Sequence, residues 1–227
     1  RDKVRRDEHE LTNLLESLFI PVTEFFRDRQ VFEDLASLVL PSFVWKRPQK
    51  WTLRTWCIGC ATGEEAWSMA MLLEEGREIF GFSEFEVVAT DLHDPSIAIA
   101  RRGIYSHAQL ANVPARMRQR FFTPTAQGIS VDPSLRSRVE LVRHDILGHK
   151  LAPSTAVVAL FDVIVLRNVL IYLDRRLQTK VLERVVSMTD TGGVLVLGAV
   201  ETLPNELSGL FEIFPGTAQK ERIFRKC

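Results

Sequence analysis

The stretch Trp56-Cys57-Ile58-Gly59-Cys60-Ala61-Thr62-Gly63-Glu64-Glu65 decides the fold, because it joins a short strand to a long helix through two glycines. Residues 52–56 include the β-branched Thr52 and Thr55 and the aromatic Trp56, a composition typical of a strand. Apolar residues then recur at helical spacing, at Ala66, Met69, Ala70, Leu72 and Leu73. Thr62 and Glu65 match a capping box, which predicts a helix starting at Gly63. This order makes the ligand crevice of an open α/β sheet, although an ordinary strand-to-helix turn has the same pattern.

The composition is that of an ordinary globular protein. The chain has 227 residues, enough for one α/β domain with a small appendage. A formal net charge of +0 gives no global argument for nucleic acid as a partner. No run approaches the roughly 18 apolar residues of a membrane span, so we expect no insertion into a membrane. Three cysteines are too few for a disulfide framework, and the expected location is the cytoplasm.

Cys57 and Cys60 form a C-x-x-C pair, which raises zinc and redox alternatives. A structural zinc site needs four Cys or His ligands, usually as two close pairs, and no second pair exists in the sequence. A thioredoxin-like site opens its helix with the cysteines, whereas here the predicted helix opens after Thr62. We therefore predict no metal site and interpret the two cysteines as buried loop thiols.

The first 48 residues indicate a helical segment and a linker. Leu11, Leu14, Leu15, Leu18 and Phe19 form the stripe of an amphipathic helix that ends at Pro21. Asp28 is placed to cap a second helix, which Pro41 would stop. We assign residues 1–48 to this segment and residues 49–227 to the main domain.

A second strand, over residues 85–91, ends in a carboxylate. It is mostly apolar, as expected of a parallel strand that is buried on both faces. A carboxylate at the end of such a strand accepts hydrogen bonds from the ribose hydroxyls of an adenosine ligand. Asp91 could instead cap the next helix, but Asp94 is better placed for that purpose.

Residues 101–143 interrupt the α/β alternation. Prolines, Gly128 and short strand-like pieces predict a small inserted β-subdomain with a hairpin, at about residues 103–137. This stretch is rich in arginine, at Arg101, Arg102, Arg116, Arg118, Arg120, Arg136, Arg138 and Arg143. Such a charge run is either a solvated face or a docking surface for an acidic partner.

The remaining elements complete an α/β sheet. Third and fourth strands are predicted over residues 139–145 and 161–166, and a helix from Asp174 to the glycine pair at 192–193. A fifth strand over residues 194–198 and two closing strands, expected to be antiparallel, follow.

Four stretches together resemble the S-adenosylmethionine-dependent chemotaxis receptor glutamate methyltransferases of the CheR family. Thr23-Glu24-Phe25-Phe26-Arg27 is similar to the family's Thr-x-Phe-Phe-Arg, and residues 59–65 to its Gly-Cys-Ser-Thr-Gly-Glu-Glu. Ala89-Thr90-Asp91 resembles the ribose-binding strand end. Residues 161–172 are similar to Phe-Asp-x-Ile-x-x-Arg-Asn-Val-x-Ile-Tyr. The likeness runs from about residue 20 to the end of the chain.

The resemblance implies a Rossmann-like class I methyltransferase sheet and methyl transfer from S-adenosylmethionine to glutamates of a receptor, with S-adenosylhomocysteine as product. It implies a cofactor site formed by Thr23, Arg27, Gly59, Glu64, Asp91, Asp145, Ile146, Arg167 and Asn168. Arg27 and Tyr172 would be catalytic, on the side of the methyl acceptor. The Arg-rich insert would meet an acidic helical region of the receptor. At least one of Phe25 and Phe26 is expected to pack in the core.

Three departures from the family pattern stand out. Most of the family's helical N-terminal domain is missing, and Pro21 replaces an asparagine that contacts the cofactor in relatives. Asp145 also replaces an asparagine, and an aspartate accepts hydrogen bonds from an exocyclic amine but donates none.

Three other functional classes remain open from the sequence. A small-molecule methyltransferase shares the glycine loop and Asp91, but leaves the motifs around Arg27 and Tyr172 unexplained. A module that only binds the cofactor would not require Arg27 and Tyr172. A dinucleotide dehydrogenase fits least, because the loop lacks the third glycine of Gly-x-Gly-x-x-Gly.

Overall fold

The computed structural model describes residues 23–44, 51–153, 160–217 and 222–227. The helix predicted before Pro21 lies outside the described residues. The described strands are β1 (Thr52–Ile58), β2 (Glu84–Asp91), β3 (Ile104–Tyr105), β4 (Phe122–Thr125), β5 (Gly128–Val131), β6 (Val139–Arg143), β7 (Phe161–Leu166), β8 (Thr189–Leu197), β9 (Phe211–Ile213) and β10 (Ile223–Lys226). The described α-helices are α1 (Arg29–Asp34), α2 (Leu40–Val44), α3 (Glu64–Phe80), α4 (Asp94–Arg102), α5 (Ala115–Phe121), α6 (Pro133–Arg136), α7 (Arg175–Met188) and α8 (Asn205–Ser208).

Seven strands form the main sheet, in the order β6-β2-β1-β7-β8-β10-β9. The pairs from β6 to β8 are parallel, whereas β10 runs antiparallel to β8 and β9. The chain winds from β1 outward through β2 to β6, and then returns to β7 on the other side of β1. The crevice between the carboxyl ends of β1 and β7 is therefore the switch point at which open α/β sheets bind ligands. The predicted α/β sheet and its antiparallel closing strands are confirmed.

The core has two layers, one on each face of the sheet. Alternation along β1 sends Leu53 and Cys57 to one face and Trp56 and Ile58 to the other. The first layer includes α3 and the segment from Phe25 to Phe43, and the second includes the buried side of α7. The described N-terminal segment therefore shares one continuous core with the sheet.

Pro41 does not end the second helix, contrary to the prediction. Helix α1 passes through a π-helical turn, Leu35–Val39, directly into α2, which contains Pro41. A proline lacks the N–H that an α-helical ladder needs at its position, and a widened turn just before it accommodates that loss. Asp28 precedes α1 with a φ of 57°, and its side chain makes no capping hydrogen bond.

Two boundaries near the carboxyl end of the chain also differ from prediction. Helix α7 ends at Met188, and β8 begins at Thr189, five residues before the predicted start. Gly192 has a φ of +73° inside this strand, where the pairing with β7 shifts register. Glycine in a strand often marks such an irregularity, so the glycine pair lies within the strand instead of ending the helix.

The insert contains a second, three-stranded antiparallel sheet in the order β3-β5-β4. Its apolar side chains, among them Tyr105, Phe122 and Val131, belong to the same core layer as α3. The predicted hairpin is β4–β5, and β4 is an outer strand of the small sheet. No described helix is both long enough and apolar enough to span a membrane.

Candidate functional site

The glycine loop after β1 lies in left-handed conformations that explain its two glycines. Gly59 and Gly63 have φ values of +73° and +97°, and glycine adopts this region without steric cost. A Cβ on Gly59 would come within 2.4 Å of Val169 Cγ2. A Cβ on Gly63 would come within 3.0 Å of the Tyr105 hydroxyl. The loop therefore packs directly against the segment that follows β7 and against the insert.

The capping box predicted for α3 does not form. The helix begins at Glu64, with Gly63 as the N-cap residue and no side-chain capping bond. The Thr62 hydroxyl instead donates a hydrogen bond of 2.6 Å to Glu64 Oε2, and Glu65 binds elsewhere. Thr62 lies one position too early in the chain to reach the third amide of the helix.

The Asp91 side chain hydrogen-bonds both to the glycine loop and to the residue just before α4. Its Oδ2 accepts a hydrogen bond from the Ala61 N–H at 2.8 Å, and its Oδ1 accepts one from the His93 N–H at 2.9 Å. The N-cap residue of α4 is His93 and is neither Asp91 nor the predicted Asp94, which is the first residue of the helix. Each carboxylate oxygen has a second lone pair, so Asp91 can also accept hydrogen bonds from two hydroxyls of a ligand.

The two glutamates that open α3 have different surroundings. Glu64 is buried and accepts hydrogen bonds from Thr62 Oγ1 and, at 3.3 Å, from Gln109 Nε2. Burial raises the pKa of the Glu64 carboxyl, an effect that the bonds from these two partners oppose. Glu65 turns toward the crevice instead. Burial also raises the pKa of the Glu65 carboxyl, while Arg167 and Arg27 lower it.

Arg167, the residue after β7, lies between two carboxylates. Its side chain is 2% exposed, and its Nη1 donates to Glu65 Oε2 at 3.0 Å. Its Nη2 forms a second ion pair, with Asp28. The pair with Glu65 is buried, so removing either of its partners would leave an uncompensated charge, whereas the Asp28 side chain is half exposed. Arg167 thus ties the segment that carries Arg27 to the sheet.

The segment 23–28 is held from several sides above the crevice. Phe25 is fully buried and packs edge-on against Tyr105 and Phe122, with ring centroids 5.0 and 5.7 Å away. The Phe26 N–H donates to Ser68 Oγ at 2.9 Å, and Phe26 has a φ of 51°. A left-handed phenylalanine persists only where its surroundings enforce it. Both phenylalanines are buried, so the core-packing prediction is confirmed.

These elements enclose a cavity of about 490 Å³ at the carboxyl ends of the parallel strands. This volume lies within the range of small-molecule sites in proteins. The structure brings together the predicted residues Thr23, Arg27, Gly59, Asp91, Asp145, Ile146, Arg167, Asn168 and Tyr172 on its lining. Glu64 is the exception and lies outside the lining, because its carboxylate bonds to Thr62 and Gln109. Glu65, the next residue, lies on the lining instead.

The cavity lining also includes residues that were not predicted from the sequence to be site residues. They are Glu24, Ile58, Ala61, Glu65, Thr90, Leu92, His93, Ser96, His144, Leu147, Val169, Ile171 and Leu173. Leu92 and Ile171 are about half exposed, at 51% and 49%, so the cavity mouth has apolar edges. His144 is buried against Trp56, and burial lowers the pKa of its imidazole. Their common signal is position, since most of them adjoin the carboxyl end of a parallel strand.

Comparison with known proteins assigns this arrangement to a family. The family model described as CheR methyltransferase, SAM binding domain, matches residues 21–220. The chain belongs to the CheR methyltransferase family. Because the match covers the glycine loop, Asp91 and the segment after β7, it includes every wall of the cavity.

Relatives of the CheR methyltransferase family match most of the chain. This chain is 35% identical over 198 residues to the uncharacterized 104.1 kDa protein in the hypE 3'region of Rhodobacter capsulatus. The match covers 87% of this chain and 20% of that protein. The chain is 35% identical over 186 residues to chemotaxis protein methyltransferase Cher2 of Pseudomonas putida, covering 80% and 66%. Chemotaxis protein methyltransferase 2 of Pseudomonas aeruginosa is 32% identical over 200 residues, with 86% and 68% covered. The chain thus spans a fifth of the first relative and about two thirds of the other two.

The cofactor of the CheR domain is S-adenosylmethionine, and the cavity residues are chemically suited to it. Asp91 keeps lone pairs for two ribose hydroxyls, while its existing bonds fix the carboxylate in place. Asp145 lies on the same lining, and its Oδ1 accepts from the Leu147 N–H at 2.8 Å. The Asp145 carboxylate can therefore accept from an amine but cannot replace the donor of an asparagine.

Cys57 and Cys60 are both buried in this CheR domain. Burial raises the pKa of both thiols well above the ordinary value, and a protonated thiol is a poor nucleophile and metal ligand. Among the described residues, no group of three His, Cys, Asp or Glu side chains could hold a metal ion. The absence of a metal site stays a prediction for the whole chain.

Half of the eight arginines in residues 101–143 form ion pairs with acidic side chains of the fold. Four arginines form ion pairs with acidic residues outside the insert: Arg116 with Glu75, Arg120 with Glu74 and Glu78, Arg138 with Glu84, and Arg143 with Asp94. Arg101 donates to the Leu141 carbonyl, and Arg136 to the Arg101 carbonyl. Within the described part of the chain, Arg102 and Arg118 form no ion pair. The charge available to a partner is therefore smaller than the arginine count indicates.

Proposed function

We propose that the chain transfers the methyl group of S-adenosylmethionine to glutamate side-chain carboxylates of a chemoreceptor-type protein, forming glutamyl methyl esters. The observation that carries this proposal is the position of Arg27 and Tyr172 on the same cavity lining as Asp91. A cation and a phenol on the lining of a cavity that also holds a carboxylate suited to a ribose fit an anionic methyl acceptor better than a neutral one.

The proposed methyl transfer does not depend on proton transfer by the protein. A glutamate with an ordinary pKa near 4.3 is already ionised at neutral pH, so no general base is needed. S-adenosylmethionine supplies an electrophilic methyl group on a sulfonium. One carboxylate oxygen forms the new bond to this carbon, the carbon–sulfur bond breaks, and the sulfur keeps the electron pair. The protein's contribution is to hold the acceptor in line with that bond.

Two residues are assigned to holding the acceptor. The Arg27 guanidinium can bind the incoming carboxylate by a charge-assisted pair, and the Tyr172 hydroxyl can orient the same group. Tyr172 is 60% exposed at the cavity mouth, where a residue of another protein can reach it. A grip that is too strong would stabilise the bound substrate as much as the transition state, so an exposed and partly solvated contact favours turnover.

The deciding experiment incubates the chain with a receptor fragment and S-adenosylmethionine labelled on the methyl group. A carboxyl methyl ester releases volatile methanol in alkali, whereas methyl groups on nitrogen or carbon remain on the protein. Labelled methanol that disappears when the fragment's glutamates are replaced with alanine would support the proposal. Base-stable label would indicate another acceptor, and cofactor binding without transfer to any acceptor would indicate a binding module.

Ligand-induced stabilisation gives a first prediction that needs no acceptor. At about 100 times its dissociation constant, S-adenosylhomocysteine is expected to raise the free energy of unfolding by about 2.7 kcal/mol. For a chain of this size, that corresponds to a melting temperature higher by about 5–10 °C. Differential scanning calorimetry measures it, with adenosine as the control ligand. An unchanged melting temperature at millimolar ligand would contradict the assignment of the cavity.

We propose that the chain meets the acidic receptor helices directly through the insert, without a peptide tether. Strand addition needs main-chain donors along a free edge. Here the outer strand β4 contains Pro124, which pairs with Ile129 and has no N–H to offer. Arg102, the last residue of α4, and Arg118 in the insert are the arginines that we assign to the receptor.

The second prediction concerns this encounter. Replacing both Arg102 and Arg118 with alanine is expected to raise KM for a receptor fragment by about 2- to 30-fold, as expected for two exposed ion pairs. High salt should have the same effect on the unmodified chain, because it screens exposed charges. The assay compares methylation of one fragment, with and without a C-terminal tethering peptide, at low and high salt.

Arg54→Ala is the control, because Arg54 lies at the opposite, amino-terminal end of β1. It should leave KM unchanged. A large gain in rate from the peptide, together with little dependence on salt, would show that β4 accepts a tether after all.

A further inference from the structure

Glu201 lies outside the cavity, and its buried carboxylate accepts hydrogen bonds from three main-chain N–H groups. It is 4% exposed. Its Oε2 accepts from the Asn168 N–H at 3.0 Å and from the Gly198 N–H at 2.7 Å, and its Oε1 accepts from the Leu170 N–H at 2.7 Å. Hydrogen bonds to an ionised acceptor are about twice as strong as neutral ones. Neither the resemblance nor the sequence pattern assigned this residue a role.

Two of these N–H groups belong to the segment that forms one wall of the cavity. The segment leaves β7 at Arg167 and turns at Asn168, which has a φ of 59°. It then forms a short 3₁₀ helix, Leu170–Tyr172. Asparagine is one of the few residues that adopt a left-handed conformation readily. The turn leaves the Asn168 and Leu170 amides without strand partners, and the Glu201 carboxylate satisfies both.

The Glu201 carboxylate is closely packed against the backbone at Gly198 and Asn168. A Cβ on Gly198 would lie 2.7 Å from Glu201 Oε2 and 3.0 Å from the Asn168 nitrogen. The Glu201 N–H in turn donates to the Gly198 carbonyl at 2.9 Å. The glycine is therefore needed because the end of β8 and the start of the cavity wall approach closely around the carboxylate.

We infer that Glu201 is a positioning residue, which sets the cavity wall from Asn168 to Tyr172 through these three hydrogen bonds. This inference rests on the proposed function only in its effect on turnover. A carboxylate is required because all three partners are donors. The side-chain amide of a glutamine has one oxygen, and its NH₂ group would face at least one of the N–H groups.

The test compares Glu201→Gln with Asp162→Asn. Asp162 is also a buried carboxylate that accepts a main-chain N–H, from Arg54 at 2.8 Å, but it does not line the cavity wall. Both substitutions keep the side-chain volume and remove one buried negative charge, so both should lower the melting temperature. Only Glu201→Gln is expected to lower kcat, by about 10- to 100-fold, with a smaller change in KM for the receptor fragment.

Binding of S-adenosylhomocysteine, measured by titration calorimetry, separates this inference from the proposed function. Affinity should fall by about tenfold in Glu201→Gln and stay unchanged in Asp162→Asn, whatever the acceptor is. If no receptor fragment is methylated, the proposed function fails while this binding comparison still tests Glu201. Equal losses in the two variants, or an unaltered Glu201→Gln, would overturn the positioning role.

A second pair of variants covers the case in which Glu201→Gln fails to fold. Gly198→Ala pushes a methyl group against the same carboxylate, whereas Gly209→Ala places one in open space at a φ of −73°. Gly198→Ala should weaken binding of S-adenosylhomocysteine, and Gly209→Ala should not. Full affinity in a folded Gly198→Ala protein would contradict the inference.

Discussion

Arg27→Ala is expected to lower kcat for receptor methylation on the order of 100-fold, because the acceptor carboxylate loses the cation that aligns it. Affinity for S-adenosylhomocysteine should fall far less. Arg27 lies on the cavity lining close enough to Glu65 to lower the pKa of that carboxyl. Glu65 keeps its partner Arg167 in the variant, so the cofactor side of the cavity retains its main ion pair.

Two further variants at the same wall test the assignment. Arg27→Lys should also be poor, because an ammonium cannot reproduce the planar fork of a guanidinium. Tyr172→Phe should lower kcat without altering cofactor affinity, since it removes only the hydroxyl. Arg29→Ala is the matched control: Arg29 is exposed, pairs with Glu33 and lies outside the cavity. Loss of cofactor binding in step with activity would show that Arg27 serves the cofactor instead.

Asp91→Ala is expected to weaken binding of S-adenosylhomocysteine by about 5- to 150-fold, equivalent to about 1–3 kcal/mol. The ribose hydroxyls would lose their acceptors, and the Ala61 and His93 N–H groups would lose theirs. The glycine loop should therefore loosen even without ligand, with a lower melting temperature. Titration calorimetry measures the affinity.

Asp94→Ala is the control for Asp91. Asp94 is the nearest exposed aspartate along the chain and forms a solvent-exposed pair with Arg143 at 3.1 Å. Such pairs contribute little to stability. Its removal should leave binding unchanged. Equal effects of the two substitutions would mean that binding depends on the total negative charge near α4. It would then not depend on the specific carboxylate at the end of β2.

The sequence predicted the sheet and the edge at which its site lies, because these depend on local patterns. Apolar runs ending at Asp91 and before Arg167 are strands, and parallel strands align their carboxyl ends. The choice between Glu64 and Glu65 depends on a contact that spacing does not encode. Arg167, more than 100 residues away, pairs with Glu65, while Glu64 bonds to Gln109.

The same limit applies in two other places. The sequence left the arginine run open as a solvated face or a docking surface, because its acidic partners, such as Glu74 and Glu78, belong to the distant helix α3. Pro41 suggested a helix end, because a proline normally breaks the ladder, and a π-helical turn compensated for it. Glu201 escaped notice because a carboxylate that binds only main-chain amides leaves no signature in the neighbouring sequence.

The insert contacts the glycine loop at its base, whereas its hairpin tip is exposed to solvent. The Tyr105 hydroxyl donates to the Thr62 carbonyl at 2.7 Å, and its ring packs on Phe25. The far end of the hairpin, by contrast, has exposed residues from Thr123 to Gln127. Exposed hairpin tips tolerate changes in length and composition. Loop grafting at residues 126 and 127 would therefore allow new docking specificities to be selected in a library while the cavity is left unchanged.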